Sequence, residues 1–169
     1  DVSADMRLAI ETLLAEHGYD NYETSAFAQA GARCRHNLNY WLFGDYIGIG
    51  AGAHGKLSFP DRVVREVRFR QPKQFMEKAL AGNAVQDTRE VAAADIGFEF
   101  MMNALRLTGG FEAREFVERT GGALTSVLAP LEAAERRGLI TRDHLRIAPT
   151  LQGRRFLNDL LQLFLPESR

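Results

Sequence analysis

The chain has 169 residues, 46% of them hydrophobic, which is enough for one large domain or two small ones with a core. Its 21 Lys and Arg against 22 Asp and Glu give a net charge of -1, which argues against a general polyanion binder, because such binding comes from clustered cations. A single cysteine, Cys34, excludes an internal disulfide and a self-contained iron–sulfur cluster, and it points to a reducing compartment. No apolar stretch is long enough to span a membrane.

The chain opens on Asp1 rather than Met, the pattern of a sequence processed or cut from something longer. Met6, Ile10, Leu13, Leu14 and His17 fall on one face of an expected helix, with Gly18 in the capping place. Tyr19 to Ser25 reads as a strand and Ala28 to Gly31 as loop. His36 to Phe43 reads as a short helix, and Asp45 to Gly50 as a strand running into small residues. This order predicts a piece of a parallel α/β sheet with an open edge. Lys56 to Phe59 and Val63 to Phe69 flank Pro60-Asp61-Arg62 as a hairpin. Pro72 starts a helix that runs to about Ala81, and Gly82 to Gln86 reads as a linker.

From Asp87 onward the pattern is mostly helical. Asp87 and Glu90 have capping-box spacing. Ile96, Phe100, Met101, Ala104, Leu105 and Leu107 mark a buried face, broken at Gly109-Gly110. A second helix spans Phe111 to Arg119. A third spans about Leu124 to Arg137, where Pro130 implies a kink or a late start. A hairpin around Thr141 to His144 follows. A last helix runs from about Leu151 to Phe164, with Phe156, Leu160, Leu163 and Phe164 inward. Three helices and a two-stranded wing give the winged-helix order. The division expected is therefore residues 1–86 as an α/β unit and 87–169 as a helical, winged-helix-like domain. Between Gly110 and Leu165 there are eight Arg, no Lys and seven acids, so a packing or partner-docking module is the better reading than DNA binding.

Several residues are candidates for chemistry. In a helix His36 and Tyr40 stack one turn apart, with Asn37 and Trp41 beside them. An imidazole can ligate iron and flat aromatic rings can pack on a macrocycle, but spacing alone favours Tyr40 and Trp41 as core and His36 as a helix cap. Gly48, Gly50, Gly52 and Ala53, followed by His54, either let a ligand approach the backbone or pack a sheet and turn; their spacing is not a dinucleotide fingerprint. Glu23 is a hydrogen-bond acceptor or base at a strand end, or a structural carboxylate. Cys34, between Arg33 and Arg35, is a reactive thiol, a soft contact to a metal or heme, or a bland buried side chain.

The segments Tyr22-Glu23-Thr24-Ser25-Ala26-Phe27-Ala28, Gly31, Cys34-Arg35-His36-Asn37-Leu38-Asn39-Tyr40-Trp41, Gly48 to Gly55, Phe98 to Asn103, and Phe156-Leu157-Asn158 to Leu165 form a pattern. Together they resemble the oxygen-independent coproporphyrinogen III oxidase-like radical SAM proteins, in their heme chaperone (HemW) branch. The H-N-x-x-Y-W run is the most specific part, and the resemblance covers nearly the whole chain. It departs at Ala26, where many relatives carry Asn.

The resemblance implies a C-terminal portion of a longer protein: a piece of a radical SAM barrel followed by a helical domain. It implies heme as the ligand of His36, Asn37, Tyr40 and Trp41, with His36 the iron ligand. Gly48, Gly50, Gly52 and Ala53 would line the barrel end that faces S-adenosylmethionine or substrate. The [4Fe–4S] cluster of such relatives is held by a Cys-x3-Cys-x2-Cys motif, which this sequence lacks, so the chain alone is not expected to be catalytically active. Heme delivery to acceptor hemoproteins is the function it implies. The alternatives are porphyrin-biosynthetic coproporphyrinogen III oxidation by the full-length parent and a non-enzymatic winged-helix module. A cytoplasmic setting, with a peripheral place at the inner membrane, and self-association through an exposed barrel edge complete the expectation.

Overall fold

The computed structural model describes residues 2–166. Helix α1 (Val2–Glu16) ends at Gly18, whose φ of 77° suits a left-handed cap. Its apolar stripe is not buried as the spacing predicts: Met6, Ile10 and Leu13 are all exposed. Strands β1 (Asp20–Glu23) and β2 (Ala26–Ala28) follow as an antiparallel hairpin. Only Thr24 and Ser25 connect them, whereas parallel neighbours need a crossover of a dozen or more residues.

Helix α2 (Arg35–Trp41) forms where expected. The strand expected over Asp45 to Gly50 does not. Tyr46 alone makes an antiparallel bridge, to Lys56. Beyond it the chain turns, because Gly50 adopts a φ of 97° that breaks extended pairing. Every strand pair among the described residues is antiparallel, so the parallel unit read from the sequence is not formed there.

Strands β3 (His54–Ser58) and β4 (Val63–Arg68) make the expected hairpin. Helix α3 (Pro72–Leu80) starts on its proline. The segment read as a linker instead leads into β5 (Val85–Glu90), which pairs with β4 from Val64↔Glu90 to Arg68↔Val85. Position 86/87 therefore lies inside a strand, and Asp87 and Glu90 cap no helix. Helix α4 (Ala93–Ala104) begins after Ala92 with no side-chain cap.

Strand β6 (Phe111–Glu112) precedes α5 (Ala113–Thr120), and here the capping box is real, between Glu112 and Glu115. A short 3-10 turn, Leu124–Val127, leads into α6 (Leu128–Arg136), so Pro130 sits in the first turn of a late-starting helix. Strands β7 (Ile140–Arg142) and β8 (Arg146–Pro149) form the hairpin, and β8 also pairs with β6 in the order β6-β8-β7. The last helix is two pieces, α7 (Leu151–Arg155) and α8 (Leu157–Gln162), broken at Phe156. That break shifts the helical phase, which leaves Phe156 exposed while Leu160 and Phe164 stay buried.

One aromatic and aliphatic core holds the C-terminal half. Phe100 meets Phe111 and Phe116 edge-on, at 5.0 and 5.1 Å between ring centroids, with Leu131, Ile147 and Leu160 around them. Phe43 reaches into this core from the turn after α2, its ring 5.9 Å from Phe100. The α2 segment is thus anchored to the helical half by a buried side chain.

Candidate functional site

Helix α2 is only seven residues long, too short to be stable alone, so its position depends on what holds its ends. Its C-terminal turn is tightly specified. Phe43 has a φ of 55°, uncommon for a non-glycine residue, while its ring is fixed in the core. Lys56 completes the turn. Its ammonium lies 4.0 Å from the centre of the Phe43 ring and donates to Phe43 O at 2.9 Å, Asp45 Oδ1 at 3.0 Å and Ser58 Oγ at 2.8 Å. Lys56 is 1% exposed, so its charge depends on these partners. Burial draws the Lys56 ammonium below the ordinary lysine value, although Asp45 opposes this. Burial would raise the Asp45 carboxyl, but hydrogen bonds from Ser58 and Lys56 outweigh it and hold the group below its usual value.

On this turn stands a run of rings. The His36 and Tyr40 rings meet edge-on at 4.7 Å, as i, i+4 spacing predicts. Tyr40 in turn packs on Tyr46 at 4.3 Å. His36 is exposed at one end. Asn37 accepts from the Cys34 thiol at 3.5 Å, and Cys34 is exposed rather than buried. Trp41 packs under the Arg106 guanidinium, 4.5 Å from the ring centre. Its indole Nε1 is shielded from solvent and has no hydrogen-bond partner among the described residues.

The glycine run is a turn held by β4. A Cβ at Gly48 would overlap the His54 carbonyl, so glycine is required there for close packing. The Gly48 carbonyl accepts from Arg68 Nε at 3.2 Å, and Gly52 N donates to Phe69 O at 2.9 Å. Ala51, Gly52 and His54 border a shallow cavity with Val67, Arg70 and Gln86. The structure thus joins His36, Tyr40 and Tyr46, and gives Gly48 and Gly50 backbone duties of their own. Glu23 is buried: Oε1 accepts from the Ser25 hydroxyl at 3.2 Å, while Oε2 has no hydrogen-bond partner among the described residues.

Sequence pattern did not single out Lys56, Asp45, Ser58, Arg65 or Arg106. A charged residue in a short strand reads as solvent-facing, so Lys56 carried no signal. Glu99 had one: a carboxylate beside Phe100 on an apolar helix face.

Residues 91–156 match the HemN C-terminal domain family. The heme chaperone HemW of Escherichia coli is 46% identical over 158 residues, covering 92% of this chain and 40% of that protein. HemW of Bacillus subtilis is 32% identical over 166 residues, covering 97% of this chain and 43% of that protein. The chain is similar, over nearly its whole length, to part of the HemW-type proteins. The likeness extends to the mouse mitochondrial radical S-adenosyl methionine domain-containing protein 1, 30% identical over 181 residues, covering 99% of this chain and 40% of that protein. The fold is shared with the solved structure of coproporphyrinogen III oxidase (HemN) from Escherichia coli, a radical SAM enzyme, at a TM-score of 0.67 and 15% identity, over 95% of this chain and 40% of that one. The chain spans about two fifths of the length of the curated HemW relatives it matches.

The residues present fit heme better than a cluster. An exposed imidazole backed by two tyrosine rings is a suitable donor for a porphyrin iron. A single thiol does not fit a [4Fe–4S] cluster. Among the described residues no group of three or more His, Cys, Asp and Glu converges on a metal position.

Proposed function

We propose that this chain forms the heme-facing part of a heme chaperone. His36 binds the iron, Tyr40 packs beside the macrocycle, and Asn37 and Trp41 complete the H-N-x-x-Y-W surface. The observation that carries this reading is the exposed His36 ring held edge-on against Tyr40, in a chain whose relatives are named heme chaperones. Heme is the cargo, and acceptor hemoproteins are its destination. Gly48, Gly50, Gly52 and Ala53 belong in this reading to the rim of the site. [4Fe–4S] and S-adenosylmethionine sites belong to the longer protein. The test is titration with hemin, followed by the Soret band: wild type saturates, and His36→Ala weakens binding by ~10-fold or more.

The fold likeness to a radical SAM enzyme supports reading the part before the helical domain as the C-terminal end of a radical SAM barrel with a β-hairpin and helix. The order α4, β6, α5, α6, β7, β8 supports a winged-helix-like module, and its near-neutral charge supports packing over nucleic-acid contact. We place the boundary between the two units at residues 90/91, where β5 ends and the HemN C-terminal match begins. The oxidase reading is second. It has the 15%-identical fold behind it, and coproporphyrinogen turnover by a reconstituted full-length protein would raise it to first. A cytoplasmic setting, peripheral contact with the inner membrane and self-association through an open strand edge go with this reading. No helix among the described residues is long and apolar enough to cross a membrane.

A further inference from the structure

The ring run does not end at Tyr40. We propose that Tyr46, braced by Arg65 and Glu99, is the third ring of the heme-facing surface and fixes the orientation of the Tyr40–His36 pair. This rests on the reading of His36 as the heme ligand.

Three sets of contacts converge on Tyr46. Its ring packs on Tyr40 at 4.3 Å, tilted by 55°. Its backbone is pinned on both sides to Lys56, N to O at 3.0 Å and O to N at 2.9 Å. Its hydroxyl accepts from Arg65 Nη1 at 3.3 Å. Arg65 is not free to swing, since its Nε and Nη2 both donate to Glu99 Oε2, at 2.8 and 2.6 Å. Glu99 is 8% exposed on α4, and its other oxygen accepts from Arg89 at 3.3 Å. Burial would weaken the Arg65 charge, but Glu99 and Tyr46 outweigh it and raise its proton affinity, so the brace stays ionised.

An ion pair between β4 and α4 needs only Arg65 and Glu99. The third guanidinium nitrogen on the Tyr46 hydroxyl, and the ring contact that continues to His36, go beyond that need. An imidazole on an exposed helix face rotates about two side-chain bonds. Each fixed neighbour removes part of that freedom before a ligand arrives. Partners that orient a metal-binding imidazole without touching the metal tune its affinity in this way. Tyr46 and Arg65 are positioning residues in this sense.

The test uses ferric heme as hemin with the full 169-residue chain, read by Soret titration and by low-temperature EPR of the bound iron. Thermal melting checks folding of each variant. Tyr46→Leu removes the ring and is expected to weaken binding by ~10-fold and to broaden the EPR signal of the bound ferric iron. Tyr46→Phe keeps the ring and loses the hydroxyl; it is expected to bind ~2-fold more weakly with a signal intermediate in width. Glu99→Gln should resemble Tyr46→Phe. Wild-type affinity and an unchanged EPR signal in Tyr46→Leu, alongside lost binding in His36→Ala, overturn the brace alone. If Tyr46→Leu does not fold, Tyr46→Phe decides, and a signal identical to wild type overturns the brace. Wild type and His36→Ala giving the same spectrum overturn the heme-ligand reading and this inference with it.

Discussion

Lys56 shows how much of this site rests on one side chain. A buried ammonium is tolerated only when its donors are used, and here all three are, on Phe43 O, Asp45 and Ser58. Lys56→Met keeps the length and removes the charge. It leaves the Phe43 carbonyl without its side-chain donor and the Asp45 carboxylate with Ser58 alone, so it should cost about 2 kcal/mol in denaturant unfolding. Asp45 gives the matching pH dependence. Its folded carboxyl lies below the ordinary value of 3.8, so it contributes stability above pH 3.8 that is lost as pH falls through the lower folded value. The difference in melting temperature between wild type and Asp45→Asn should therefore be fully present at pH 5 and shrink as pH drops below 3.8. At this scale the sequence was readable where contacts are local. His36 and Tyr40 meet because they are one helical turn apart, and that spacing is visible in the chain. Tyr46, Arg65 and Glu99 meet across 53 residues of sequence, through a bridge, a strand and a helix, and no short pattern encodes that.

Elements set by side-chain period, a proline or a local hairpin turn were readable, and pairing between segments further apart, as of β5 with β4, was not. Helix α2, the β3–β4 hairpin, α3 with its leading proline, and the β7–β8 hairpin all formed where the pattern put them. Strand β5 is split in the sequence reading between a linker ending at Gln86 and a helix start at Asp87, because its residues, Val85–Glu90, are mostly polar and exposed, which is what an edge strand looks like. The Asp45 to Gly50 strand was overread because Ile47 and Ile49 alternate with glycine, yet both isoleucines face solvent. Gly48 tests whether the turn is fixed by packing. A Cβ there overlaps the His54 backbone carbonyl, which cannot move aside as a flexible side chain would. Gly48→Ala should lower stability by about 1–3 kcal/mol, measured by urea unfolding, and Gly109→Ala, where a Cβ meets open space, serves as the comparison.

The whole molecule reads as a site carried on a core. Phe43 joins the α2 turn to the cluster around Phe100, so the stability of the C-terminal half and the geometry of His36 are linked. Phe100→Ala should cost about 3–5 kcal/mol and, near its own unfolding transition, lose heme binding in parallel with folded structure by circular dichroism. The mixed α/β and helical character and the likeness to HemW-type proteins were legible from sequence, the latter through the H-N-x-x-Y-W run. The parallel sheet piece expected from the sequence is not formed among the described residues, because helix–strand order alone cannot tell a two-residue hairpin from a crossover. The central claim is that His36 presents its imidazole to a heme. Hemin titration of the 169-residue chain, wild type against His36→Ala, tests it most directly. The account predicts a saturable Soret band in wild type and binding weakened by ~10-fold or more in a folded His36→Ala chain. Equal Soret spectra and equal affinities in the two would contradict it.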